Sequence, residues 1–240
     1  AGKTTLIRLI CGLQEPSGGE YKLCGVKNTD KKIILCRRKM GAVVESPAIY
    51  TEMTAEENLR QQNYILKATN EGNISELLTL VGLGNTGKKK VKNYSLGMRQ
   101  RLGIAIALAG NPEFLVLDEP INGLDPQGIV EMRELILKLN RERGITVLIS
   151  SHILDELSRL ATHYGFIDGG TMIKEMSAEE LEKRCRKCIC IDVSDTRPLA
   201  DVLDGMGVEY EMLDGTRANI YSDVQVTLLV TELLKKDCIV

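Results

Sequence analysis

The chain alternates between short continuous apolar runs and longer segments in which apolar residues recur at helical spacing. Residues 40–44, 114–117 and 145–149 are runs of the buried-strand type, and residues 96–109 and 127–143 have the spacing of helices. A helix between two strands returns the chain to the same end of a sheet, so successive strands run in parallel. The pattern therefore predicts an α/β fold around a mainly parallel sheet.

Two further elements are predicted near the start of the chain. Apolar residues at positions 6–10 predict a helix that ends at Gly12, and a strand is predicted at residues 20–24, after the turn-forming residues 16–19. The sequence has no initiator Met and begins directly before a helix, so we expect residues upstream of Ala1 to be missing from it.

More helices are predicted between the first and second apolar runs. Thr54 and Glu57 have the spacing of a capping box, which opens a helix that runs to about Lys67. Another helix is predicted at residues 74–81. The glycine-rich and lysine-rich residues 82–92 are expected to form a solvated connection.

The pattern changes beyond about residue 186, where strand, helix, strand, strand and helix follow one another. This order is similar to part of a split βαβ fold and predicts a small α+β appendix. We expect residues 238–240 to begin a further strand, which would leave this domain incomplete. The five predicted elements are residues 188–193, 198–206, 208–213, 218–221 and 224–236.

Composition narrows the range of functions. With 240 residues, of which 43% are hydrophobic, the chain is long enough to bury a sizeable core. Lys and Arg total 31 against 33 Asp and Glu, a net charge of −2, so the basic excess typical of nucleic-acid binding is absent. No apolar stretch approaches the roughly 20 residues that span a bilayer, and no secretory signal is recognisable. We expect a cytoplasmic protein that binds no nucleic acid.

Seven cysteines in a chain without a secretory signal favour reduced thiols over disulfides. Cys185, Cys188 and Cys190 have the spacing C-x-x-C-x-C, which could hold a metal ion. No histidine or fourth cysteine lies nearby in sequence to complete a tetrahedral site, and strand alternation explains Cys188 and Cys190 more simply.

Gly2, Lys3, Thr4 and Thr5 stand directly before the first predicted helix. Backbone N–H groups and the helix dipole favour an anion there, Lys3 adds a positive charge, and the Thr4 hydroxyl is a suitable ligand for Mg²⁺. The segment has the form of the second half of a phosphate-binding loop, although Gly-Lys-Thr also occurs by chance.

Asp118 and Glu119 follow the predicted strand at residues 114–117. Carboxylates are rarely buried without partners, so both are expected at the rim of the sheet. There Asp118 could hold Mg²⁺, and Glu119 could accept the proton of an attacking water. The alternative is a strand end that simply meets solvent.

Two more positions suit a phosphate group. His152 follows the predicted strand at residues 145–149 and could hydrogen-bond a γ-phosphate, the alternative being an ordinary surface or cap residue. Ser95 stands at the cap position of the predicted helix 96–109, and Gly97 lies in its first turn, which creates a second anion site. A plain N-cap explains the serine alone.

Taken in order, these segments resemble the nucleotide-binding subunit of ABC transporters from residue 1 to about residue 182. The resemblance implies a P-loop NTPase fold that binds ATP and Mg²⁺, with a helical signature subdomain at about residues 46–110. It implies a nucleotide-binding domain at residues 1–185 and leaves residues 186–240 as an accessory domain. The matching segments are the Walker A loop at 1–5, the signature at 95–100, the Walker B strand at 114–120, the D-loop at 123–125 and the switch histidine His152.

The resemblance also implies a head-to-tail homodimer that encloses ATP. Ser95 and Gly97 of one subunit would complete the phosphate site of the other, and Asp125 would lie at the dimer interface. The residues implied in nucleotide binding are Gly2, Lys3, Thr4, Thr5, Ser95, Gly97, Asp118 and Asp125.

The sequence departs from the common family pattern at the signature and at the Q-loop. Tyr94, Leu96 and Met98 replace the usual leucine, first glycine and glutamine. Glu45 replaces the Q-loop glutamine near Mg²⁺ and the γ-phosphate, where an ionised carboxylate can only accept hydrogen bonds. Neutral drift at a tolerant loop is the alternative. The implied catalytic residues are therefore Glu45, Glu119 and His152, and the implied metal ligands are Thr4, Glu45 and Asp118.

Residues 44–47 and 94–98 resemble the bacterial subgroup that exports bacitracin and lantibiotic peptides. This resemblance implies an ATPase at the inner face of the cell membrane, attached there only through a separate transmembrane permease that it drives. Two alternatives are a soluble ABC ATPase that acts on ribosomes or DNA, and a regulatory module in which Glu45 impairs turnover and only ATP-driven dimerisation matters.

Overall fold

The computed structural model describes residues 2–67, 73–185, 188–222 and 224–240, so Ala1 of the predicted phosphate-binding loop lies outside the described residues. The chain divides into two compact units, Ala1–Glu175 and Met176–Val240. This division lies earlier than the predicted boundary between residues 185 and 186, which stays a prediction.

A three-stranded parallel sheet, in the order β3-β4-β5, lies at the centre of the first unit. Its middle strand is buried on both faces, and Leu115, Val116 and Leu117 have no measurable exposure. Continuous apolar runs are typical of such strands because neither face meets water. The predicted parallel sheet is therefore confirmed, with strands β3 (Met40–Val43), β4 (Phe114–Asp118) and β5 (Thr146–Ser150).

Helices connect and cover these strands. The ends of several are determined by local sequence: Thr54 and Glu57 form the predicted capping box of α3, and Asp125 caps α6. Two short helices, α2 and α7, have no counterpart among the predicted elements. The helices of the first unit are α1 (Lys3–Cys11), α2 (Ile33–Arg37), α3 (Ala55–Leu66), α4 (Asn73–Leu80), α5 (Leu96–Leu108), α6 (Pro126–Arg143) and α7 (Leu154–Ser158).

Helices α3, α4 and α5 pack together through buried leucines such as Leu59, Leu77 and Leu102. The sequence predicts a solvated connection at residues 82–92, but the structure shows that part of it is buried. Leu83 and Val91 are only 1% and 0% exposed, and Val91 begins a short 3-10 helix, Val91–Asn93. Isolated apolar residues within a charged stretch are thus part of the core.

Two short strand pairs complete the first unit, and only the last two residues of the second pair, Met176 and Ser177, belong to the second unit. The strand predicted at residues 20–24 is reduced to Lys22–Leu23 (β1), which pairs in antiparallel fashion with Val26–Lys27 (β2). A second pair, His163–Asp168 (β6) and Thr171–Ser177 (β7), has no predicted counterpart. Most of β7 is exposed, so its sequence lacks the apolar run by which buried strands are recognised.

The second unit contains the predicted order of strand, helix, strand, strand and helix. Its antiparallel sheet has the order β8-β10-β9, and Leu199, Leu203, Leu229 and Leu233 of two helices are fully buried against it. An additional helix precedes it. The elements are α8 (Ala178–Arg184), β8 (Ile189–Asp192), α9 (Thr196–Met206), β9 (Tyr210–Met212), β10 (Arg217–Ile220) and α10 (Val226–Leu234).

The prediction of a further strand at residues 238–240 is wrong. These residues form no strand, and Cys238 and Ile239 are held instead by hydrogen bonds to Ser194, Asp195 and Leu233. The backbone N–H of Ser194 donates to the carbonyl of Ile239 over 2.9 Å, and the N–H of Ile239 donates to the Ser194 hydroxyl over 3.1 Å. An apolar run at this point therefore reflects the burial of Cys238 rather than strand pairing.

Among the helices in the described ranges, none is both long enough and apolar enough to cross a membrane.

Gly41 of β3 tests how closely the sheet packs on α5. A Cβ atom at this position would lie 2.4 Å from the carbonyl oxygen of Ala107, which is backbone and cannot rotate away. We expect Gly41→Ala to lower the free energy of unfolding of the first unit by about 1–3 kcal/mol, the usual cost of overpacking. Urea unfolding followed by circular dichroism measures it. Gly18→Ala is the control, since that Cβ would meet nothing within 4 Å, and an equal effect of both variants would contradict the packing described here.

Candidate functional site

The N-terminus of α1 provides the first part of the candidate site. Gly2 precedes the helix with a φ of 106°, a conformation that glycine adopts without strain, and a Cβ there would lie 3.2 Å from the Cα atom of Gly170. The first N–H groups of a helix have no acceptor within it, so they can bind an anion. Lys3 and Thr4 are half-buried in this turn, and Thr5 is exposed.

Glu119 lies between two cationic or potentially cationic side chains. Its Oε1 atom is 3.5 Å from Nζ of Lys3, and its Oε2 atom is 2.8 Å from Nδ1 of His152. The Glu119 carboxylate is 24% exposed, so water can still reach it. The structure thus brings together Lys3, Glu119 and His152, which the sequence places in three distant motifs.

Asp118 is held by a serine that sequence reasoning passes over. Ser150 donates its hydroxyl hydrogen to Oδ1 of Asp118, and the same hydroxyl accepts from the backbone N–H of Glu119 over 3.0 Å. The two side chains are 3% and 6% exposed, and their residues are register partners on β4 and β5. A polar residue at the end of the neighbouring strand is the signal by which Ser150 could have been found.

Both predicted catalytic glutamates have left-handed backbone conformations. The φ angle is 49° at Glu119 and 61° at Glu45, in a region that residues with a Cβ atom adopt at an energetic cost. At Glu119 the turn directs the chain out of β4, directly after the buried Asp118.

Glu45 forms an ion pair with Arg8 of α1. This contact brings the end of β3 to the helix that carries Lys3 and Thr4. The described residues contain no group of three or more His, Cys, Asp or Glu side chains able to hold a metal ion. That is compatible with Mg²⁺, which is commonly held by one or two protein ligands together with substrate phosphates and water. Thr4 and Asp118 suit this role, and the place of Glu45 among the ligands stays a prediction.

A second candidate region lies at the N-termini of α5 and α6. The Ser95 hydroxyl accepts from the N–H of Met98 over 3.3 Å, and Oδ1 of Asp125 accepts from the N–H of Gly128 over 3.1 Å. Both caps line one open groove of about 370 Å³, together with Gly97. Two helix N-termini therefore face the same groove, which favours an anion there.

The two regions are separate within one chain. Among the described residues, no hydrogen bond or ion pair joins the set of Lys3, Asp118 and Glu119 to the set of Ser95 and Asp125. Each region has some features of a phosphate site, and neither has all of them.

Residues 1–122 match the family model described as ABC transporter. The chain belongs to this family. It is similar to the bacitracin transport ATP-binding protein BcrA of Bacillus licheniformis, with 48% identity over 198 residues that cover 81% of this chain and 63% of BcrA. It is also similar to the lantibiotic transport ATP-binding protein SrtF of Streptococcus pyogenes, with 42% identity over 76% of this chain and 79% of SrtF. The chain thus spans less than two thirds of the length of BcrA.

Solved structures of ABC cassettes have the same fold. The dimeric ATP-binding cassette MJ0796, in a post-hydrolysis state bound to ADP and Pi, matches with a TM-score of 0.64 and 27% identity. The match covers 74% of this chain and 81% of that one. The predicted P-loop NTPase fold of an ABC ATP-binding protein is therefore confirmed, while the roles of its individual site residues stay predictions.

The hydrogen bond from the Ser150 hydroxyl to Asp118 can be tested through its contribution to stability. Ser150→Ala leaves the buried Asp118 carboxylate without this donor, which costs roughly 1–3 kcal/mol for a buried polar group. We expect a loss of that size in urea unfolding of the first unit. Ser158→Ala serves as the control, because Ser158 is exposed and donates only to a backbone carbonyl. If the two variants were equally stable, the hydrogen bond to Asp118 would contribute nothing measurable.

Proposed function

We propose that this chain belongs to the ATP-hydrolysing subunit of an ABC transporter that exports an antimicrobial peptide of the bacitracin or lantibiotic kind. The observation that carries this proposal is the position of Glu119, which contacts Lys3 at the phosphate-binding helix and His152 on its other side. The similarity to BcrA and SrtF, named as bacitracin and lantibiotic transport proteins, supports the substrate class.

Lys3 has two roles in the proposed reaction. Without nucleotide its ammonium group neutralises part of the charge of Glu119. With ATP bound the ammonium group pairs with the phosphates instead, as a lysine in a phosphate-binding loop does. Glu119 is then released to accept a proton from the attacking water. His152 can keep one carboxylate oxygen oriented while its ring contacts the γ-phosphate.

Thr4 and Asp118 are the residues that would hold Mg²⁺. The ion would neutralise charge on the phosphates of bound ATP. Asp118 is suited to this because Ser150 fixes its carboxylate and leaves the second oxygen, Oδ2, without a hydrogen bond from that residue.

Two copies of the chain would complete each site. The groove formed by Ser95, Gly97 and Asp125 supplies helix N-termini but no lysine. Its two carboxylates are already engaged, Asp125 as a helix cap and Glu131 in an ion pair with Arg101. The α1 site supplies Lys3 and Glu119. A head-to-tail dimer places one of each against the same triphosphate, and ATP then stabilises the dimer by binding to the associated form more tightly than to the single subunit.

ATP binding and hydrolysis by this dimer would drive a separate permease at the inner face of the cell membrane. Glu45 and the helices that follow it are the proposed coupling surface. Through its ion pair with Arg8, Glu45 connects this region to α1, so a change at the phosphates can be transmitted to the permease-facing side.

The hydrolytic role of Glu119 can be tested in the complete subunit assembled with its permease. Glu119→Gln removes the proton acceptor but keeps the side-chain shape, so we expect phosphate release to fall by at least about 10²-fold, while ATP-driven dimerisation persists. Glu113→Gln is the matched control at the other end of β4, where the glutamate is exposed and pairs with Lys39. Undiminished phosphate release and peptide resistance in cells with Glu119→Gln would rule out the proposed mechanism.

If each ATP site is built from residues of two subunits, two variants that are inactive alone should form one intact site when they are mixed. Lys3→Ala damages the α1 site, whereas Ser95→Asp keeps an N-cap residue but repels phosphate from the groove. In the complete subunit, we expect a mixture of these two single variants to recover ATP hydrolysis, because one of its two sites then combines an intact Lys3 with an intact Ser95. The double variant mixed with itself should remain inactive. Sites contained within one chain would give no recovery in the mixture.

A further inference from the structure

Two thiols lie side by side on the second unit, away from its hydrophobic core. Ile191 of β8 is 7% exposed and packs against the core. Side chains alternate along a strand, so Cys188 and Cys190 face away from the side on which Ile189 and Ile191 pack against the core. Cys188 and Cys190 are accordingly exposed, and their Sγ atoms are 3.9 Å apart. Strand alternation thus explains their direction and, at the same time, brings them together.

The pair has few of the contacts by which a cysteine serves packing. Cys238 is the contrasting case in the same unit, since it is 1% exposed and belongs to the hydrophobic core. Cys190 instead donates its S–H to Oδ1 of Asn219, its register partner on β10, over 3.1 Å. This hydrogen bond fixes the rotamer of one thiol while both sulfurs remain accessible to solvent.

The spacing of the sulfurs suits coordination of one ion. Two thiolates that each lie about 2.3 Å from one ion are at most about 4.6 Å apart, so sulfurs separated by 3.9 Å can both bind the same ion. The described residues offer no third His, Cys, Asp or Glu to the pair, so a structural zinc site with four protein ligands is not formed. Soft thiolate ligands favour soft ions, of which Cu(I) is the physiological example.

We propose that Cys188 and Cys190 form a two-thiolate site for a soft, thiophilic metal ion, and that the bound ion is Cu(I). Each thiol gives up one proton to solvent as its sulfur bonds to the ion, and no electron is transferred. The site is independent of the ATPase site and of the proposed transport function.

The proposal is tested by letting the reduced protein compete for Cu(I) with a chelator whose Cu(I) complex is coloured, under anaerobic conditions. We expect one tightly held equivalent of Cu(I) in the unaltered protein, and the loss of that equivalent in both Cys188→Ser and Cys190→Ser. Cys24→Ser is the matched control, because Cys24 is also an exposed thiol. It should retain the equivalent.

A second measurement keeps the test decisive if a variant is unstable. Cd²⁺ bound by two thiolates gives a sulfur-to-metal ultraviolet band, which should be present in the unaltered protein and in Cys24→Ser and absent from each single variant of the pair. Circular dichroism confirms that the serine variants are folded. Equal Cu(I) retention by all four proteins, or equal loss in Cys24→Ser, would show adventitious binding by surface thiols and overturn the proposal.

Discussion

A buried carboxylate at the end of a buried strand is the constraint around which the candidate ATPase site is arranged. Asp118 is 3% exposed, and removing a carboxylate from water is costly unless hydrogen bonds replace its hydration. Ser150 supplies that hydrogen bond from the adjacent strand. Because β4 and β5 are parallel and in register, their carboxyl ends lie at one edge of the sheet, and the residue after Asp118 must emerge there. Glu119 is that residue.

The charges near this edge are balanced in pairs. Glu119 is shared by Lys3 and His152, and Glu45 is paired with Arg8, so each glutamate has a basic partner that comes from α1 or from the end of β5. These side chains are partly exposed, and ion pairs of this kind contribute little to folding stability. In the proposed mechanism their role is orientation, because each glutamate would exchange its basic partner when a triphosphate, with its greater charge, binds.

Features that depend on neighbouring residues could be predicted from the sequence. Thr54 with Glu57 and Ser95 are helix caps because of their side-chain chemistry, and the apolar runs of β3, β4 and β5 are long enough to be distinctive. Contacts between distant residues could not be predicted in this way. Ser150 meets Asp118 across 32 positions and Arg8 meets Glu45 across 37, and both contacts require the strand order and register to be known. Exposed β7 and the buried Leu83 were missed for a related reason, since neither belongs to a periodic pattern.

The left-handed backbone at Glu45 and Glu119 sets stability against the proposed catalytic role at two positions. Glycine, and to a lesser degree asparagine, would relieve the strain at either place, so selection for heat resistance alone would drive both glutamates out of the sequence. A thermostable descendant obtained that way would keep its fold and lose both carboxylates of the candidate phosphate site. Efforts to stabilise this protein should therefore hold those two positions constant and improve the helices and loops elsewhere.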